Sequence, residues 1–133
     1  MSTTNFLQQH QNIKEELDTI EKLMKDLDTS ASDTALHINQ LAGKLNVHLS
    51  AEDKHLYPSL LKGTDTALQT LAQSYIDEMG NLCQIFNTYK LKFNTKNKIT
   101  DAKTQFTTET LQIIKAIRDR MKKEETDLYA KIK

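Results

Sequence analysis

The sequence predicts an all-α protein, an up-down-up-down antiparallel four-helix bundle. Three observations carry this reading. Only 3 Gly and 1 Pro occur in 133 residues, far fewer than sheets and their tight turns use. Apolar residues recur at alternating spacings of four and three in four separate stretches, the seam pattern of a bundle helix. The stretches are separated by short polar breaks, near 28–33, 62–65 and 94–100, which force neighbouring helices to run antiparallel.

The first stripe is Phe6, His10, Ile13, Leu17, Ile20, Met24 and Leu27, with Thr3 or Thr4 available to cap its start. The run DTSASD then breaks the pattern, and Ser32 or Asp33 is placed to cap a second helix. Its seam is Ile38, Leu41, Leu45, His48, Glu52 and then His55 or Leu56. Pro58 falls in its last turns, where a missing N–H is expected to bend or loosen the helix. Gly63 ends it, and Thr64 or Asp65 caps the third. The third stripe is Leu68, Leu71, Tyr75, Met79, Leu82, Phe86, Tyr89 and Phe93. After the break NTKNKIT the fourth runs Phe106, Thr110, Ile113, Ile117, Arg120, Glu124 and Leu128, with Met121 competing with Arg120 for the inward phase.

The whole chain, 1–133, reads as one domain, long enough for one hydrophobic core. With 18 basic and 18 acidic side chains the net charge is 0, so no basic face for nucleic acid is expected. The N-terminus lacks the basic and apolar regions of a signal peptide, and no apolar run is long enough to span a bilayer. The lone Cys83 cannot form an internal disulfide and reads as an inert thiol. A cytoplasmic protein without membrane or nucleic-acid partners is expected; nothing in the sequence indicates an oligomeric state.

The two halves resemble each other. His48-Leu-Ser-Ala-Glu52-Asp-Lys-His55-Leu56-Tyr57 aligns with Arg120-Met-Lys-Lys-Glu124-Glu-Thr-Asp127-Leu128-Tyr129, and His10 aligns with Met79. Each half is then one helical hairpin, and the two pack about a pseudo-twofold axis. His10, His48, Glu52, Arg120 and Glu124 sit at seam positions where apolar residues are the rule. Burying unpaired charge costs several kcal/mol, so these five need partners. Counted in helical turns from the chain reversals, all five fall at one depth of the bundle.

His48 and Glu52 are four apart, on one helix face, and together offer imidazole and carboxylate arms suited to iron, manganese or zinc. His10 and Glu124 come from neighbouring helices to complete a set. His37 lies three turns before His48 and reads as a surface residue. His55 makes the spacing Glu52-x-x-His55, but the other half has Asp127 there, so a flanking role is expected. Tyr75, one turn before Met79, is a further oxygen donor within reach.

A first-helix His followed by H-x-x-x-E, Asp-Lys and Leu-Tyr-Pro resembles the hemerythrin-like (HHE cation-binding) domain family. His10 and His48 to Pro58 match the first half of that pattern; in the second half only Glu124 is retained, with Met79 and Arg120 where the family carries histidines. The resemblance implies non-haem iron, ordinarily two ions bridged by two carboxylates. Carried onto this chain it implies one complete ligand set, His10, His48, Glu52 and Glu124, and one iron rather than two, with another divalent metal as the alternative. The guanidinium of Arg120 is expected in the space of the second ion, bonded to Glu52 or Glu124. Dioxygen or another small molecule is the implied partner, in a binding or redox-sensing role. The rival reading is a metal-free bundle that binds a partner or a small ligand, haem held by a seam His or Met among them. No nucleophile–base pair or phosphate loop points to an enzyme.

Overall fold

The computed structural model describes residues 2–132; Met1 and Lys133, the ends of the expected domain, lie outside the described residues. Helix α1 spans Thr4–Leu23 and α2 spans Leu27–Ala51. One wide π turn, Glu52–Leu56, joins α2 to α3, Tyr57–Lys62. Helix α4 covers Thr66–Phe93, α5 is a short helix at Lys96–Thr100, and α6 covers Lys103–Lys123. A second π turn, Glu124–Leu128, and a 3-10 turn, Tyr129–Lys131, end the chain. Among the described residues there is no strand. The bundle is therefore α1, α2 with α3, α4 and α6.

The stripes bury as their spacing requires. Helix α1 buries Phe6, His10, Ile13, Leu17 and Ile20, and each apolar one of these contributes about 1.5–3 kcal/mol. The apolar core has two parts. The larger joins α1, α2, α4, α5 and α6 through residues such as Ile13, Leu17, Ile38, Leu41, Phe86 and Ile113. The smaller holds Phe6, Leu56, Tyr57, Leu60, Ala72, Tyr75, Leu128 and Tyr129. Along three of the chain's helical stretches a group of buried polar residues lies between these two parts: His10 between Phe6 and Ile13, His48 and Glu52 between Leu45 and Leu56, Arg120 and Glu124 between Ile117 and Leu128. A polar layer thus crosses the bundle between two apolar ones.

Two of the expected breaks shift. Residues 28–33 are helical, and the first reversal is the 3-10 turn Met24–Asp26. The Ser30 hydroxyl, within the expected break, bonds the backbone instead: Ser30 Oγ donates to Leu23 O at 2.5 Å and lies 2.7 Å from Asp26 O; just beyond it, Thr34 Oγ1 donates to Ser30 O. Neither Ser32 nor Asp33 caps α2, which begins earlier, and Thr3 precedes α1 without a side-chain capping bond. Most of 94–100 is α5, ordered by Ile99, which is fully buried as a plug in the larger core. The middle reversal is as expected: α3 ends at Lys62, and the Asp65 carboxylate accepts from Leu68 N at 3.1 Å.

Pro58 does follow a loosened turn, but it does not cause it. The matching position in the second half is Ala130, and the same π turn precedes it. In both halves the tyrosine N–H reaches back five residues, Tyr57 to Glu52 O and Tyr129 to Glu124 O. Such widened turns concentrate at functional sites. Arg120 and Met121 are both buried. Met121 packs in the larger core, and Arg120 turns into the polar layer.

Candidate metal centre

Helices α1 and α2 and the second π turn bring His10, His48 and Glu124 to one point, and the first π turn sets Glu52 beside His48. His10 Nε2 lies 3.0 Å from His48 Nε2 and 3.0 Å from Glu124 Oε1. His48 Nε2 lies 3.3 Å from Glu52 Oε1 and 3.6 Å from Glu124 Oε1. His10, His48 and Glu124 present ligand atoms all within 4.8 Å of one another. All four residues are essentially closed to solvent.

The outer faces of the two imidazoles decide what the inner faces are. His10 Nδ1 is 2.9 Å from Glu125 Oε2, an oxygen that only accepts, so Nδ1 carries the proton. His48 Nδ1 is 2.8 Å from the Gln9 carbonyl Oε1, with the same consequence. Both rings then turn their Nε2 atoms inward, towards each other and towards carboxylate oxygens. Two imidazole nitrogens and two carboxylates thus gather in one buried layer, the donor set of a cation site.

The carboxylates respond to that environment in opposite directions. Burial and the neighbouring Glu124 charge push the Glu52 carboxyl up to about 9, so without a metal it keeps a proton at neutral pH. Burial works the same way on Glu124, but hydrogen bonds from His10 and His48 and the charge of Arg120 outweigh it and hold the carboxyl well below the usual range. Glu52 Oε2 accepts from Tyr129 Oη at 2.6 Å, and Glu52 Oε1 is buried without a hydrogen-bond partner. Glu124 Oε2 faces Tyr57 Oη and Arg120 Nε, each at 3.5 Å. Each half's tyrosine therefore reaches the other half's carboxylate. Burial raises both phenols above their ordinary range, so they stay neutral donors.

The residues fit a metal ion. Ligand bonds of about 2.0–2.2 Å put neighbouring donors about 3 Å apart, the spacing found here. The orphaned Glu52 Oε1 points to the same place. Two imidazoles and two carboxylates suit iron, manganese or zinc. The outer bonds from Glu125 and Gln9 orient the rings as supports of metal-ligating histidines do.

Other expected contributors take different places. His55 is exposed, on the solvent side of the first π turn, and does not reach the cluster. Tyr75 is no ligand: its hydroxyl donates to Lys123 O and to Asp127 Oδ2, both at 3.0 Å. Met79 is buried beside Leu45, Cys83 and Phe86 in a small apolar cleft, away from the four converging side chains. Arg120 lies beside the centre, but its closest bonds are not to the carboxylates. Its Nη2 donates to Tyr75 O at 2.7 Å and its Nη1 meets Glu78 at 3.3 Å, because the guanidinium stacks on the Tyr75 ring at 4.4 Å from the centroid. It forms ion pairs with Glu78 at 3.3 Å and with Glu124 at 3.5 Å; no hydrogen bond to Glu52 forms. His37 is half-buried and pairs with Glu16 at 2.5 Å, far from His48 along α2.

Sequence reasoning gave no role to Gln9, Tyr57, Glu125 or Tyr129. The signal was present for the tyrosines: both follow the aligned glutamates by five residues. That interval points away from a helix face unless the helix widens. Among the described residues no helix is long and apolar enough to cross a membrane.

No curated protein and no solved structure matches the chain. The model of the hemerythrin HHE cation-binding domain matches residues 1–132. Together with the bundle and its converging histidines and glutamates, that match places the chain in the hemerythrin HHE cation-binding family.

Proposed function

We propose that this domain binds a single non-haem iron through His10, His48, Glu52 and Glu124 and uses it to bind or sense dioxygen or a related small redox-active molecule in the cytoplasm. The observation that carries the reading is the convergence of the inward Nε2 atoms of His10 and His48 with carboxylate oxygens of Glu124 and Glu52 in a buried layer. A bound ferrous ion supplies reversible one-electron chemistry and open coordination positions. The chain's residues do the rest. Glu125 and Gln9 fix the imidazoles in the ligating tautomer. Tyr129 holds Glu52 in place, and Glu52 gives up its proton as the cation enters. The apolar layers on either side exclude bulk water.

A second reading, a metal-free bundle serving as an interaction or small-ligand module, is favoured by the pairing of Arg120 with Glu124, which compensates part of the buried charge internally. Elemental analysis of protein purified from iron-supplemented cells separates the two. The metal reading expects about one equivalent of iron per chain. His48→Ala is expected to abolish binding, and His37→Ala to leave it unchanged. Equal effects from both substitutions would refute the ligand assignment, and metal-free native protein would favour the second reading.

A further inference from the structure

We propose that Arg120 acts as a second cation built into the chain, occupying the cation position of the second half-site so that the centre accepts one metal ion and not two. The proposal rests on the metal-binding reading above. It comes from the internal repeat, which the backbone repeats in turn. Each half has a carboxylate at the first residue of a π turn. Each has, four residues earlier, a nitrogen-bearing side chain facing that carboxylate: His48 Nε2 at 3.3 Å from Glu52 and Arg120 Nε at 3.5 Å from Glu124. Arg120 therefore stands to Glu124 as His48 stands to Glu52.

Glu124 is divided between the two positions. Its Oε1 faces His10 and His48, and its Oε2 faces Arg120. The carboxylate bridges a metal position and a guanidinium. Arg120 is buried to 7% exposure, is held by the Tyr75 ring and carbonyl, and cannot swing away without unstacking. An arginine does not lose its proton in a protein, so this charge is permanent. A divalent ion on Glu124 Oε2 would meet that charge at contact distance in a water-poor layer, a strong repulsion. The remaining side chain of the half-site, Met79, offers only a soft thioether, unsuited to a hard or borderline ion.

The test is titration of the metal-free protein with Zn²⁺, followed by calorimetry and by elemental analysis after gel filtration. Circular dichroism confirms that each variant folds. The native chain is expected to take one equivalent, and Met79→His with Arg120→His two. Arg120→Gln keeps a polar N–H donor, on a shorter side chain, and removes the charge. It is expected to hold one ion roughly threefold tighter or more, since a like charge has left. A residue that merely supported the fold would loosen the ion on substitution. Two equivalents in the native chain, one in the folded double variant, or weaker binding in Arg120→Gln would each overturn the proposal. Should the double variant not fold, Arg120→Gln alone decides. No Zn²⁺ in the native chain would overturn the metal-binding reading and this proposal with it, an outcome distinct from native binding of two.

Discussion

Polar groups are buried at two levels of this bundle, and they are treated differently. In the larger apolar layer, Tyr89 Oη and Thr110 Oγ1 meet at 2.7 Å, and Ser30 and Thr34 bond the backbone of their own helix region. Every one of these groups is satisfied by a protein partner. In the layer between the two cores, Glu52 Oε1 and Arg120 Nε have no hydrogen-bond partner, and two imidazole nitrogens face each other at 3.0 Å. The first set belongs to the fold alone. The second includes the ligand-type atoms of His10, His48 and Glu124, a group that could hold a metal ion. Burial does not distinguish them; satisfaction does.

Three experiments sharpen that contrast. The largest effect on stability is expected at the satisfied end. Phe106 is fully buried, with Phe93 edge-on at 5.1 Å, and Phe106→Ala should cost about 3–5 kcal/mol in denaturant unfolding. Metal stoichiometry should be untouched in the folded variant; a loss would show that the two levels are coupled.

A smaller effect, of opposite character, is expected at Glu52. Without metal its folded carboxyl keeps a proton up to about 9, while the unfolded chain releases one near 4.5. Between those values the folded state binds more protons, so stability should fall as pH rises through that window. Glu52→Gln removes this group and should flatten the fall relative to the native chain, while weakening metal binding. Denaturant midpoints at pH 5 and pH 8 measure it. Parallel pH profiles for the two proteins would mean that Glu52 is ionised in the fold.

The smallest effect is expected at Glu16, a buried carboxylate outside both layers, bound by His37 at 2.5 Å and Lys44 at 2.6 Å. Burial opposes its charge, but Lys44 and His37 outweigh it and hold the carboxyl below its usual range. Its contribution is therefore present above about pH 4.5 and lost as pH falls through the lowered folded value. Glu16→Gln should cost less than about 1 kcal/mol at neutral pH and nothing in acid, with metal binding unchanged.

The stripes and the scarcity of Gly and Pro were enough to read the bundle, since seam spacing is a direct image of which face is buried. The ends of helices were less legible. Ser30 read as part of a break in sequence, yet its hydroxyl bonds carbonyls of the preceding reversal. Ile99 anchors a short helix in a stretch whose polarity suggested none. At the centre, residues on regular helix could be placed by counting turns, and His10, His48, Glu52, Arg120 and Glu124 do share one depth. Residues beyond each π turn could not, because the count changes there. That is why Tyr57 and Tyr129 were passed over and why His55, three residues past Glu52, was given a role it does not have. The seam position placed Arg120 inward, but its anchoring on the ring and carbonyl of Tyr75, from another helix, was out of reach.

The widened turns also change the helix's phase. On a regular α-helix, residues five apart are rotated by about 140° from one another, so a tyrosine at that interval would look away from its glutamate's side. One additional residue in the turn brings Tyr57 above Glu52 and Tyr129 above Glu124, each backbone amide bonding the glutamate's carbonyl. The helix upstream carries ligands and the helix downstream carries neutral hydroxyls, and both now address the same layer. An insertion of one amino acid, made once in each hairpin, thus lets a single rod present two kinds of chemistry to one point, which uninterrupted α-helix cannot do at that interval.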